Sequence, residues 1–205
     1  MEKIDFKKTM KHLYNASDKK VSMVEVPDMK YIMTEGKGSP GGTDFQQAIE
    51  AIYSLAYTLK FMLKDPELQP SGYYDFVVPP LETLWCTDSG EFDEKKPDDW
   101  KWTVMVMQPG FINAGLLEKA KEEVRKKKNI PGLNKLQLSV HKEGNAIQIM
   151  HIGPYNEVGN TYKRLDSELK ERGFKSNGPG HEIYLSDPRR VAPEKLKTIV
   201  RLPYQ

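Results

Sequence analysis

The sequence predicts an α+β fold of two similar halves, each running strand, helix, strand, strand (βαββ), related by a pseudo-twofold axis. The stretch from Ala146 to Leu202 shows this unit most plainly. The stretch from Val21 to Pro109 repeats its order, and a charged amphipathic segment joins the two. On this reading 1–20 are an N-terminal arm, 21–110 the first half, 111–132 a connector helix and 133–205 the second half, all in a single domain.

In the second half, Ala146-Ile-Gln-Ile-Met-His-Ile152 is an apolar run with the character of a buried strand, broken at Gly153-Pro154. Val158, Tyr162, Leu165 and Leu169 follow at the period of one helix face, and Gly173 is placed to terminate that helix. His181-Glu-Ile-Tyr-Leu185 and Leu196–Leu202 are the remaining strands, stopped by Pro188 and Pro203. In the first half, Val21–Val26 and Lys30–Glu35 are expected to pair as a hairpin through Pro27-Asp28. Leu136–Val140 and Ala146–Ile152 are expected to do the same through Glu143-Gly144-Asn145.

A helix follows the glycines at 36–42, with Thr43-Asp-Phe-Gln46 in the form of a capping box. Phe45, Ile49, Ile52, Leu55, Leu59 and Met62 make one apolar stripe; Tyr53, Tyr57 and Phe61 make a second. A helix apolar on two faces is packed on both, as a cleft wall would be. Leu81–Cys86 is a short strand. An acidic loop from Asp88 to Asp99 leads to the strand Trp100–Met107. The segment from Asn113 to Lys128 turns Leu116, Leu117, Ala120 and Val124 inward. The parallels Met33–Gly36 with Met150–Gly153, Leu81–Leu84 with His181–Tyr184, and Val104–Pro109 with Val200–Pro203 carry the duplication to residue level. Clefts commonly sit between such halves.

Composition narrows the function classes. The 205 residues carry a net charge of +2, so no field favours nucleic acid, and the first 20 residues are too short for a helix-turn-helix module. One cysteine, Cys86, excludes an internal disulfide and thiolate zinc sites. The four histidines are scattered, and neither a phosphate-binding loop nor a nucleophile elbow is present. No metal and no cofactor are expected. No apolar stretch spans a membrane and the first residues lack a secretory h-region, so a cytoplasmic protein is the expectation.

The candidate chemistry lies on a few strands. Glu182 shares a strand face with Tyr184, opposite His181, Ile183 and Leu185. Facing solvent it is an ordinary surface carboxylate. Facing the cleft it is a desolvated acid beside an aromatic ring, able to attract a cationic ligand or act as a general base. By the repeat, Glu82 takes the equivalent place in the first half, so two carboxylates would approach one cleft. Trp85, Trp100 and Trp102 fall in one short window and suit either a core or a flat aromatic ligand. Tyr57 on the helix and Tyr155 after Gly153-Pro154 point toward the same space. His151 has the setting of a structural histidine, yet it opens the motif that carries the resemblance below.

His151-Ile-Gly-Pro-Tyr155, Glu182-Ile-Tyr-Leu-Ser-Asp-Pro188, Pro193–Thr198 and the closing Arg201-Leu-Pro203 resemble the GyrI-like small-molecule-binding family. Pro80–Trp85 and Trp102–Pro109 resemble a stand-alone subgroup of it more loosely. The resemblance implies a duplicated SH2-like βαββ fold with the ligand cleft between halves, and bulky aromatic, often cationic ligands held by an acidic residue at the position of Glu182. His151, Glu82, Trp100, Tyr57 and Tyr184 are, with Trp85 and Trp102, the expected ligand surround. The resemblance also implies, for stand-alone members, hydrolysis of the strained cyclopropane of DNA-alkylating compounds. Trp85 and Trp102 would then clamp the substrate, Glu182 would orient or deprotonate water, and Tyr155 would donate to the developing phenolate. The alternatives are a non-catalytic binder that only sequesters small molecules and a gyrase-inhibitor-like interaction module. The partner expected here is a small aromatic molecule, not a nucleic acid or a membrane.

Overall fold

The protein is described here by a computed structural model covering residues 3–90 and 95–205. Residues 91–94 of the expected acidic loop fall outside the described residues. Among the described residues eight strands form one antiparallel sheet: β1 (Ser22–Val26), β2 (Met29–Lys37), β3 (Leu81–Cys86), β4 (Lys101–Met107), β5 (Gln137–His141), β6 (Gly144–Ile152), β7 (Gly180–Tyr184) and β8 (Lys197–Pro203). Their order across the sheet is β1-β6-β8-β7-β3-β4-β2-β5. Outward from the central pair β3 and β7, the two directions repeat the same roles. The fold is α+β and duplicated.

The two expected hairpins are not formed. β1 pairs with β6, Ser22 opposite Gln148 and Val26 opposite Gly144. β2 pairs with β5, Met29 opposite His141 and Met33 opposite Gln137. One register runs through both ladders, interrupted where Pro27-Asp28 faces Lys142-Glu143. The apparent turns are bends in a single long two-stranded ribbon that crosses from one half to the other. The physical reason is turn chemistry. At the first bend, tight two-residue hairpins favour loops with positive φ, which proline cannot adopt; at the second, Gly144 has φ 73° but pairs with Val26 inside the ribbon. Because β1 runs on into β2 and β5 into β6, the sheet wraps back on itself.

Helix α3 (Thr43–Met62) and helix α4 (Ala114–Lys127) cover the outer face of the first half, burying Ile52, Leu55 and Leu59 against Val104, Val106 and Leu117. Asn113 caps α4, its side chain accepting from Leu116 N–H at 3.0 Å, and Arg125, Lys126 and Lys127 suit the negative end of its dipole. The capping box expected at Thr43 is absent: Gly42 holds the cap position, and Gln46 donates instead to Pro40 O at 2.9 Å. Helix α5 (Val158–Glu171) covers the second half, Leu165 and Leu169 packing on Ile147, Ile149 and Val200. It ends where Gly173, at φ 79°, lets Phe174 N–H reach Leu169 O. No helix among the described residues is long and apolar enough to cross a membrane.

The inner face of the wrapped sheet is closed by the N-terminal arm, whose one-turn helices α1 (Phe6–Thr9) and α2 (Lys11–Tyr14) bring Leu13 and Tyr14 against Tyr31, Leu84, Met105 and Ile183. At the centre lies a buried ion network. Glu143, at the ribbon bend, accepts from His181 Nδ1 at 3.1 Å and from Arg201 Nη1 at 2.9 Å. His181 Nε2 donates to Glu82 at 2.9 Å, and Tyr14 and Tyr31 donate to the same carboxylate at 2.9 and 3.2 Å. Arg201 also donates to Gln148 Oε1 at 3.0 Å and Leu13 O at 2.9 Å.

Burial alone would drive both charged groups toward neutrality, but the partners win. The carboxylates hold His181 up at about 9, and the two cations hold Glu143 down at about 2. His181 therefore stabilises the fold fully below pH 6.5, an effect lost as pH rises through 9; Glu143 does so above pH 4.5, lost as pH falls through 2. The urea midpoint should peak between those limits, at about pH 4.5–6.5. Glu143→Gln, which leaves Arg201 short of its counter-charge, should cost about 3–5 kcal/mol in urea unfolding at pH 6.

Candidate ligand-binding and catalytic cleft

Alternation along the central strands decides which groups face the cleft. On β7, His181 and Ile183 turn inward, so Glu182 and Tyr184 turn outward. On β3, Glu82 and Leu84 turn inward, and Leu81, Thr83 and Trp85 outward. Helices α3 and α5 flank this outer face without covering its centre, leaving a cleft of about 2270 Å³ between the halves. Phe45, Tyr53 and Tyr57 line it from α3, Trp85 and Glu182 from the floor, and Tyr162 from α5.

Glu182 is the chemical centre of the floor. Its side chain is buried, with the residue 7% exposed. It accepts from Tyr184 Oη at 3.0 Å and from Tyr162 Oη at 3.4 Å. Tyr184 in turn accepts from the Trp85 indole N–H at 3.2 Å. Burial pushes the Glu182 carboxyl up, the two tyrosine hydroxyls and the His181 charge behind the sheet pull it down, and it settles at about 7. Burial and the Glu182 charge hold Tyr162 and Tyr184 well above the usual phenol range. Both tyrosines therefore remain neutral donors at physiological pH.

Aromatic packing shapes the walls. Trp85 stacks on Phe45 at 5.2 Å and meets Trp100 edge-on at 6.0 Å. Tyr155, half-exposed at the rim, stands T-shaped on Tyr184 at 5.5 Å. Tyr162 lies directly over Gly180, where a Cβ would come within 2.6 Å of its ring and hydroxyl. Gly180 has no positive φ, so glycine serves space there rather than backbone freedom.

The structure thus gathers Glu182, Tyr184, Trp85, Trp100, Tyr57 and Tyr155 around one cleft. Three candidates lie elsewhere. Glu82 is on the opposite face of the sheet, inside the ion network: it pairs with Ile183, while Thr83 pairs with Glu182. The sequence parallel was one residue out of register, which exchanges the faces of a strand. Laying β3 on β7 from their first residues, Leu81 and Gly180, sets Thr83 on Glu182 and Glu82 on His181. Trp102 is covered by α3, edge-on to Phe45 at 5.3 Å, with its ring pressed against Gly36. His151 pins the turn after β6, donating from Nε2 to Pro154 O at 3.2 Å while Nδ1 meets the Thr161 hydroxyl at 2.8 Å. Sequence reasoning missed Tyr162, which it placed in the helix core stripe. Its signal was a polar-tipped residue in an otherwise aliphatic row.

A model of the GyrI-like small molecule binding domain matches residues 19–205. The chain belongs to the GyrI-like family. An uncharacterized conserved protein from Listeria innocua is 43% identical, with a TM-score of 0.91 over 99% of this chain and 100% of that one. A hydrolase from the same organism is 41% identical, with a TM-score of 0.87 over 99% and 100%. The C-terminal domain of EcmrR shares the fold at 12% identity, with a TM-score of 0.59 over 91% and 97%. No curated protein matches the chain.

Two substitutions test this GyrI-like site. Gly180→Ala should displace Tyr162 from Glu182 and weaken quenching of tryptophan fluorescence by cleft ligands, with a stability loss of about 1–3 kcal/mol in urea titration. For Glu182 the folded value lies above the unfolded 4.5, so its share of stability is present below pH 4.5 and lost as pH rises through about 7. Glu182→Gln should therefore be more stable than wild type at pH 8, by about 2–3 kcal/mol, with the gap closing below pH 4.5.

Proposed function

We propose that this GyrI-like domain binds bulky planar aromatic xenobiotics in the inter-half cleft and hydrolyses cyclopropanoid alkylating agents, protecting the cell that makes it. One observation carries the reading: a buried carboxylate of intermediate acidity, held by two tyrosine hydroxyls, on the floor of an aromatic cleft. The likeness to Listeria innocua hydrolases at 41% and 42% identity supports the reaction class.

The reaction follows from the residues present. A flat ring system slots against Trp85 and Tyr57, with Tyr155 at the rim. Ionised Glu182 takes a proton from water as its oxygen bonds to the cyclopropane CH₂. The ring's carbon–carbon bond breaks, and its electron pair passes through the conjugated dienone to the carbonyl oxygen. That oxygen becomes a phenolate and takes a proton from Tyr155, and the proton on Glu182 returns to Tyr155 through solvent. The product is the starting compound plus one water. A base of pKa near the working pH is the effective choice for such a transfer.

Mass spectrometry of a cyclopropanoid alkylator incubated with the protein tests this directly. Wild type should yield the hydrated product, and Glu182→Gln should slow its formation by at least about 10²-fold. The value of kcat/KM should rise with pH through about 7 and level off above it, because the carboxylate is the active form. Unchanged compound that still quenches the tryptophans would overturn hydrolysis and leave a sequestering protein.

A further inference from the structure

On β3, opposite Glu182 in the register, stands Thr83. It is completely buried, 0% exposed, and its hydroxyl makes no fully formed hydrogen bond. A buried hydroxyl left unpaired is costly in a folded protein. By alternation it faces outward with Trp85, and the outward residues across the ladder are Glu182 and Tyr184. The hydroxyl of Tyr184 gives its one proton to Glu182 and accepts from Trp85. A phenol oxygen has two lone pairs, so one acceptor position on Tyr184 is left for a further donor. Thr83 lies close enough to that oxygen to lower the Tyr184 pKa, together with Trp85, against the upward push of burial and Glu182.

We propose that Thr83 is a positioning residue of the cleft, its hydroxyl closing onto Tyr184 Oη and thereby fixing the direction and strength of the hydrogen bond that holds Glu182. The chain is then Thr83 to Tyr184 to Glu182, each donor polarised by the one behind it. The pseudo-symmetry gives the arrangement its logic. Thr83 and Glu182 occupy equivalent places on the two central strands, so the second half supplies the acid and the first half the group that steadies it. This deepens the reading of Glu182 as the base and rests on it.

The test follows the Glu182 side-chain carboxyl by ¹³C NMR in the ligand-free protein, assigned by its disappearance in Glu182→Gln. Thr83→Val keeps the shape and removes the hydroxyl; Thr83→Ser keeps the hydroxyl; Thr83→Ala serves if the valine variant does not fold. The expected result is a Glu182 titration midpoint about half a pH unit higher in Thr83→Val, and a wild-type midpoint in Thr83→Ser. On a cyclopropanoid substrate, kcat should fall about three- to tenfold in Thr83→Val with KM unchanged. A midpoint that does not move in Thr83→Val or Thr83→Ala, or that moves equally in Thr83→Ser, overturns the assignment. If wild type hydrolyses no compound, the hydrolase reading fails alone, and the titration still decides the role of Thr83.

Discussion

Everything in this molecule hangs on the ion network that Glu143 ties together at the ribbon bend. From that one carboxylate the contacts reach His181 on β7 and Arg201 on β8, then Glu82 on β3, Tyr31 on β2, Gln148 on β6 and the N-terminal arm. Two carboxylates and two cations neutralise one another; the remaining Arg201 donors go to an amide oxygen and a backbone carbonyl, and two tyrosines donate to Glu82. Such a cluster adds little net energy over a well-packed apolar core, since each charge must first leave water. What it supplies is uniqueness. Only one wrap of the sheet brings these groups within reach of one another, and any slip of register would leave a charge buried alone.

The network and the cleft are two faces of the same strand. His181 and Glu182 are adjacent in β7, and the alternation of a strand sends one into the ion cluster and the other into the aromatic cleft. The positive charge behind the sheet thus acts on the acid in front of it without touching it, one of the influences that bring Glu182 to about 7. The floor is hydrogen-bonded from behind, while the walls are built from aromatic rings on α3 and α5.

Much of this was legible in the sequence, and the failures have physical causes. Strands and helices are local patterns, so the runs from Trp100 to Met107 and from Ala146 to Ile152, and the stripe through Leu165 and Leu169, were recoverable from periodicity. Strand pairing is not local: Pro27-Asp28 has the chemistry of a turn whether the flanking strands pair with each other or with strands over a hundred residues away. The same holds for Glu82. The motif Leu-Glu-Thr-Leu parallels His-Glu-Ile-Tyr by eye, but the register shifts that match by one residue, and one residue is the difference between cleft and core. The face on which Glu182 lies was legible from strand alternation, and a resembling motif drew attention to it, whereas the places of Tyr162 and Thr83 beside it became visible only through Gly180 and the β3–β7 ladder.

The crossing of β1 and β5 has a further meaning for the history and behaviour of the chain. Each half lends its first strand to the other, as two subunits do in a strand-exchanged dimer, with α4 acting as the tether that makes the pair one molecule. Neither half owns a complete sheet, so neither can open while the other stays closed. The smallest unit that completes the floor and both walls of the cleft is the entwined whole.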